Sequence, residues 1–92
     1  MDQAHVFISG MVQGVSFRYF IRNNAQRYGL AGWVRNTEDG GVEAVFCGEK
    51  EKIEQIIALC RKGPTLAEVK HVGFDWEEPE KFEGFEIKEE RF

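Results

Sequence analysis

His5-Val6-Phe7-Ile8-Ser9-Gly10-Met11-Val12, then Gln13-Gly14-Val15-Ser16, then Phe17-Arg18-Tyr19-Phe20-Ile21 is the stretch on which the fold turns. Its first part is short, apolar and partly β-branched, which predicts a strand buried on both faces or nearly so. Gln13 to Ser16 break that strand. From Phe17 the spacing changes: Phe17, Ile21, Asn24, Ala25 and Tyr28 fall on one helical face, while Arg18, Arg22, Asn23 and Arg27 fall on others. Gly29 is the expected helix stop, with Leu30 folding back on the last turn. A strand therefore feeds a helix through a short glycine-bearing corner.

Outward from this unit, Ala31 to Thr37 and Gly41 to Cys47 read as two strands joined by Glu38-Asp39-Gly40-Gly41, because Asp-Gly is a strong hairpin signal. Val42, Ala44 and Phe46 share one face of the second strand, and Glu43, Val45 and Cys47 the other. Ile53, Ile56, Ile57 and Cys60 predict a second helix from about Glu49 to Lys62, closed by Gly63-Pro64. Ala67 to Trp76 reads as the fourth strand. Its apolar positions Val69, Val72, Phe74 and Trp76 are not strictly alternating, which places a bulge near His71. Glu77 to Lys81 reads as a solvated loop, and Phe82 to Phe92 as a short edge strand. The order β-α-β-β-α-β with a small addition is the α+β, ferredoxin-like split β-α-β arrangement: two helices on one face of a four- to five-stranded antiparallel sheet. That fold hosts many activities and does not choose among them.

With 92 residues, one domain spanning residues 1–92 is expected. A formal net charge of -4 disfavours nonspecific attraction to a phosphodiester backbone, but leaves room for a local basic pocket. Cys47 and Cys60 form no CxxC pair and His5 and His71 are scattered, so no zinc site is indicated. The two cysteines could form one disulfide, which the sequence does not establish; two partly buried thiols in a reducing cytosol are the favoured reading. The N-terminal residues lack the pattern of a signal peptide, and no apolar run approaches the roughly 20 residues that span a bilayer. A soluble, cytoplasmic protein follows as the expectation.

Chemistry is concentrated in two segments. Gly10 to Arg18 lies between a strand and a helix. Gly10 and Gly14 permit a tight turn that aims several N–H groups into one hollow, and the helix adds its free N–H groups and positive dipole end. Such a nest holds an oxyanion. Arg18 opposes the helix dipole where it stands, and a bound dianion would reverse that balance; its fork suits two phosphate oxygens. The competing reading is an exposed Arg paired with a surface Glu. Asn36, near the end of the second strand, can orient a water molecule, or can satisfy the hairpin backbone.

Ile8 to Arg18 resembles the first signature of the acylphosphatase family at every restricted position. Gly32-Trp33-Val34-Arg35-Asn36, followed by Gly40, Val42 and Gly48, resembles the second. After Gly48 only the helix-then-strand pattern matches. The resemblance implies hydrolysis of acyl phosphates to a carboxylate and inorganic phosphate. It implies that Arg18 binds the phosphoryl group with the backbone N–H groups of Gln13, Gly14, Val15, Ser16, Phe17 and Arg18, and that Asn36 positions the attacking water. Beside it stand the expectations of no metal or cofactor and of a monomer acting on a small-molecule acyl phosphate, with no nucleic-acid or membrane partner. Ser16 stands at a position the family leaves variable, so it is expected to cap the first helix and no more.

The inventory agrees with that chemistry. The leaving carboxylate has a conjugate acid of pKa about 4 and needs no proton. Phosphoryl transfer asks mainly for positioning and charge stabilisation. Two other classes compete. An RNA-recognition module on the same fold would carry a basic-aromatic motif on its third strand, where this chain reads Gly41-Val42-Glu43-Ala44-Val45-Phe46-Cys47. A regulatory module, or a domain attached to a larger protein as in hydrogenase-maturation proteins, would keep the anion site without independent turnover.

Overall fold

The computed structural model describes residues 1–89. Seven elements follow in order: β1 (Asp2–Met11), α1 (Phe17–Arg27), β2 (Ala31–Asn36), β3 (Val42–Gly48), α2 (Lys50–Lys62), β4 (Glu68–Glu77) and β5 (Phe85–Ile87). The strands form one sheet in the order β4-β1-β3-β2-β5. The first four pair antiparallel. The expected edge strand lies beside β2, but parallel to it, Gly32 opposite Phe85 and Val34 opposite Ile87. The sheet is therefore mixed rather than wholly antiparallel. The part of that expected strand beyond Glu89 lies outside the described residues.

Both helices cover one face. Ala4, Val6 and Ile8 of β1, Val34 of β2, and Val42, Ala44 and Phe46 of β3 are buried there against Phe17, Ile21 and Ala25 of α1 and Ile53, Ile56 and Cys60 of α2. Phe17 and Phe46 are the bulkiest fully buried side chains, each worth about 1.5–3 kcal/mol of transfer free energy. Burial alternates along β1, and Phe7 is 46% exposed on the far face. The expectation of a strand buried on both faces is corrected accordingly: the helices supply only one covering layer. The α1 stop is as expected, with Leu30 N–H donating to Ala25 O at 2.9 Å. The expected bulge sits at Lys70, beside His71, where Ser9 faces His71 and Gly10 faces Val69.

The uncovered face is not wholly wet. Gln3, Val45 and Cys47 are buried on it. The segment after β4 folds under them: Glu80 N–H donates to Gln3 Oε1 at 2.8 Å, and Gln3 Nε2 donates to Glu77 Oε1 at 2.7 Å. The loop read as solvated is exposed in its side chains but tied by its backbone. Both cysteines are buried free thiols. Among the described residues no helix is long and apolar enough to cross a membrane.

Candidate active site

The corner between β1 and α1 is defined by its torsions. Gly14 has φ +73° and Ser16 φ +65°, whereas Gln13, Val15 and Phe17 are not among the positive-φ residues. Alternating sign turns successive N–H groups to one side, the pattern of an anion-binding nest. Ser16 is the one non-glycine residue at positive φ among the described residues, a conformation that costs an L-residue about 1–2 kcal/mol. It occupies the N-cap of α1, yet its hydroxyl makes no cap hydrogen bond. The expected capping role is thus corrected, because a side-chain cap needs extended backbone at that position and Ser16 is left-handed.

Among the described residues, no backbone N–H from Gln13 to Tyr19 donates to a carbonyl or a side chain; the first bond of the helix runs from Phe20 N–H to Ser16 O at 3.0 Å. No acidic residue stands in the first turn of α1 to meet its dipole. Arg18 does stand there, half-buried, and makes no ion pair or hydrogen bond with another described residue. The reading of an Arg paired with a surface Glu therefore finds no such pair among the described residues.

Asn36 is the last residue of β2, opposite Val42 of β3, and 6% exposed. Alternation along β2 puts it with Val34 on the helix-covered face, the side on which α1 begins. The hairpin that follows is closed by Thr37 N–H to Gly41 O at 2.9 Å and Gly41 N–H to Thr37 Oγ1 at 3.1 Å. At its tip the Thr37 hydroxyl, and then the Gly41 N–H, hold the Asp39 carboxyl below its ordinary pKa. The corner and the hairpin meet through one side chain: Gln13 Nε2 donates to Thr37 O and to Gly41 O, each at 2.8 Å. The sequence assigns Gln13 only a backbone N–H. That assignment leaves its side-chain identity unexplained, and this was the available signal.

Other groups lie apart from this corner. On the uncovered face Glu43 Oε1 accepts from Arg35 Nε at 2.9 Å and lies 2.8 Å from Arg35 Nη2, and Glu43 Oε2 pairs with His5 Nε2. The Arg35 and Lys88 cations lie 5.2 Å and 4.3 Å from the Trp33 ring centre. A hollow of about 480 Å³ beside the hairpin is lined by Phe7, Ser9, Asp39 and His71 among others, and by neither Arg18 nor Asn36. No group of three or more His, Cys, Asp or Glu side chains among the described residues is arranged to hold a metal.

Comparison with known proteins points the same way as the corner. A family model described as Acylphosphatase matches residues 4–87. An acylphosphatase from Nostoc sp. is 50% identical over 86 residues, which cover 94% of this chain and 85% of that one. Among solved structures, the acylphosphatase from Bacillus subtilis has a TM-score of 0.94 at 31% identity, covering 97% of this chain and 100% of that one. The acylphosphatase from Coxiella burnetii has a TM-score of 0.92 at 37% identity, covering 95% and 92%.

Proposed function

We propose, for a chain that belongs to the acylphosphatase family, a residue-level account of how it hydrolyses the carboxyl–phosphate anhydride of a small acyl phosphate to a carboxylate and inorganic phosphate. The phosphoryl oxygens are held by the N–H groups of Gln13, Gly14, Val15, Ser16, Phe17 and Arg18 and by the Arg18 guanidinium. Asn36 orients the attacking water. Positioning and fixed dipoles are the main demands of phosphoryl transfer, and the carboxylate leaves without a proton. The water's proton passes to an oxygen of the substrate's own phosphate.

One observation carries this account: a run of N–H groups without acceptors among the described residues, at a corner of alternating φ, next to an Arg without an anionic partner there. An alkyl phosphate suits the same site poorly, because an alkoxide leaves only with a proton. A monomer in the cytoplasm, without a metal or cofactor and with no nucleic-acid partner, completes the proposal. On that last point, β3 presents a paired Glu43 where an RNA-binding sheet would present a base-stacking aromatic.

The test measures phosphate release from benzoyl phosphate and from an alkyl monoester, glycerol phosphate, each with and without chelator. Turnover of the first alone, unchanged by chelator, is expected. Equal turnover of both substrates, or loss of activity with chelator, would overturn the proposed site. Filter binding of single-stranded RNA at low salt is expected to show no retention.

A further inference from the structure

We propose that Gln13 is a positioning residue, whose side chain fixes the distance between the anion-binding corner and Asn36; this rests on the account of Asn36 given above. The side-chain amide spends two N–H bonds on the carbonyls of Thr37 and Gly41, both at 2.8 Å. Those carbonyls belong to the residue after Asn36 and to the residue that closes the hairpin on it. Gly41 is itself held against β1, where a β-carbon would come 2.7 Å from Ile8 O. One amide thus joins the corner to two carbonyls of the hairpin, 24 and 28 residues further along the sequence. With both N–H groups engaged, Gln13 sets geometry rather than donating them to substrate.

The residue type follows from the geometry. Two carbonyls converge on one terminal nitrogen, so the group must offer two donors. Asn has the same donors and falls one carbon short. Glu has the reach but turns an acceptor toward two acceptors. A displacement of about 1 Å between reacting groups costs on the order of 100-fold in rate, which makes such a strut matter for turnover more than for binding.

The experiment compares wild type with Gln13→Met, which keeps length and removes both donors, with Asn36→Ala, and with the double variant. Turnover of benzoyl phosphate and inhibition by inorganic phosphate are measured, and denaturant unfolding monitors the fold. Gln13→Met is expected to lower kcat by roughly 10- to 100-fold while the inhibition constant of phosphate changes by less than about 3-fold. In the Asn36→Ala background the same change is expected to cost less than about 3-fold, because two residues acting as a unit are not additive. Gln13→Glu supplies a second reading: its kcat, relative to wild type, should recover as pH falls toward about 4 and the carboxyl regains a donor.

Wild-type kcat in Gln13→Met beside a slow Asn36→Ala would overturn this inference alone. So would losses that multiply in the double variant, or phosphate binding that weakens in step with kcat. Wild-type turnover in Asn36→Ala would overturn the account of Asn36 and this inference with it.

Discussion

Gly10 lies against the backbone of Glu68: a β-carbon on Gly10 would overlap the Glu68 carbonyl oxygen and stand 2.8 Å from the Lys70 nitrogen. The bulge at Lys70 brings β4 to this distance. Gly14, four residues on, has nothing within 4 Å of the same construction and φ +73°. Gly10, at φ +126°, is therefore required by close approach and torsion together, and Gly14 by torsion alone. Gly10→Ala is expected to lose about 3 kcal/mol or more, since backbone on both sides must shift, and Gly14→Ala about 1–2 kcal/mol. Urea unfolding of the two variants checks the order. A Gly10→Ala protein as stable as Gly14→Ala would show that the β1–β4 contact relaxes freely.

Arg18 and Asn36 should separate in kinetics. Arg18→Ala removes charge-assisted bonds worth about 1.5–3 kcal/mol, so phosphate affinity is expected to fall roughly 10- to 100-fold and kcat/KM by more. Its stability should stay within about 0.5 kcal/mol of wild type, because the side chain holds no ion pair among the described residues. Asn36→Ala is expected to lose kcat on the order of 100-fold with little change in phosphate inhibition. Near-normal benzoyl phosphate hydrolysis by Arg18→Ala would remove that residue from the site.

The thiols report on how tightly the two faces of the sheet are closed. Burial pushes the Cys60 thiol up to about 12, and burial raises Cys47 as well. Neither is a useful thiolate near neutral pH. An aromatic disulfide reagent is expected to label neither thiol in the native protein and both in denaturant. Fast native labelling of Cys47 would mean that the segment around Glu80, whose carbonyl lies 3.6 Å from its sulfur, opens locally.

Asp39 gives a signed pH effect. Its folded pKa is lowered by the Thr37 hydroxyl and then by the Gly41 N–H. A lowered carboxyl contributes stability above its unfolded value near 3.9, and that contribution is lost as pH falls through the folded value. Asp39→Asn is therefore expected to be less stable than wild type at neutral pH, with the gap closing below about pH 4. A gap that persists at acid pH would assign the effect to packing rather than charge.

Much of this was legible in the sequence because local signals agreed with the global fold. The change from strand to helical spacing at Phe17, the Asp39-Gly40 turn and the Leu30 fold-back all rest on contacts between near neighbours. The failures share a cause in distant partners. Val6-Phe7-Ile8 reads as buried throughout because an apolar run carries no record of which face the helices will cover. The direction of β5 depends on where residues 78–84 carry the chain, and no pattern in Phe85 to Ile87 encodes it. Ser16 looks like a cap by type, but its torsion is set by the corner around it. The side chain of Gln13 acts across 24 residues of intervening chain and could not be read from its own neighbourhood.

The donors from Gln13 to Tyr19 belong to the main chain, and every amino acid except proline brings the same one. A saturation library at Val15 or Ser16 would consequently report tolerance wherever the torsions survive, and would score as unimportant the atoms proposed to lie nearest the anion. Subtracting a single donor takes proline or a peptide-to-ester exchange at that linkage. In the proposed site these donors are carried by backbone shape, so exchanges at Val15 and Ser16 that keep the torsions leave them in place, while Arg18 adds what only its side chain supplies.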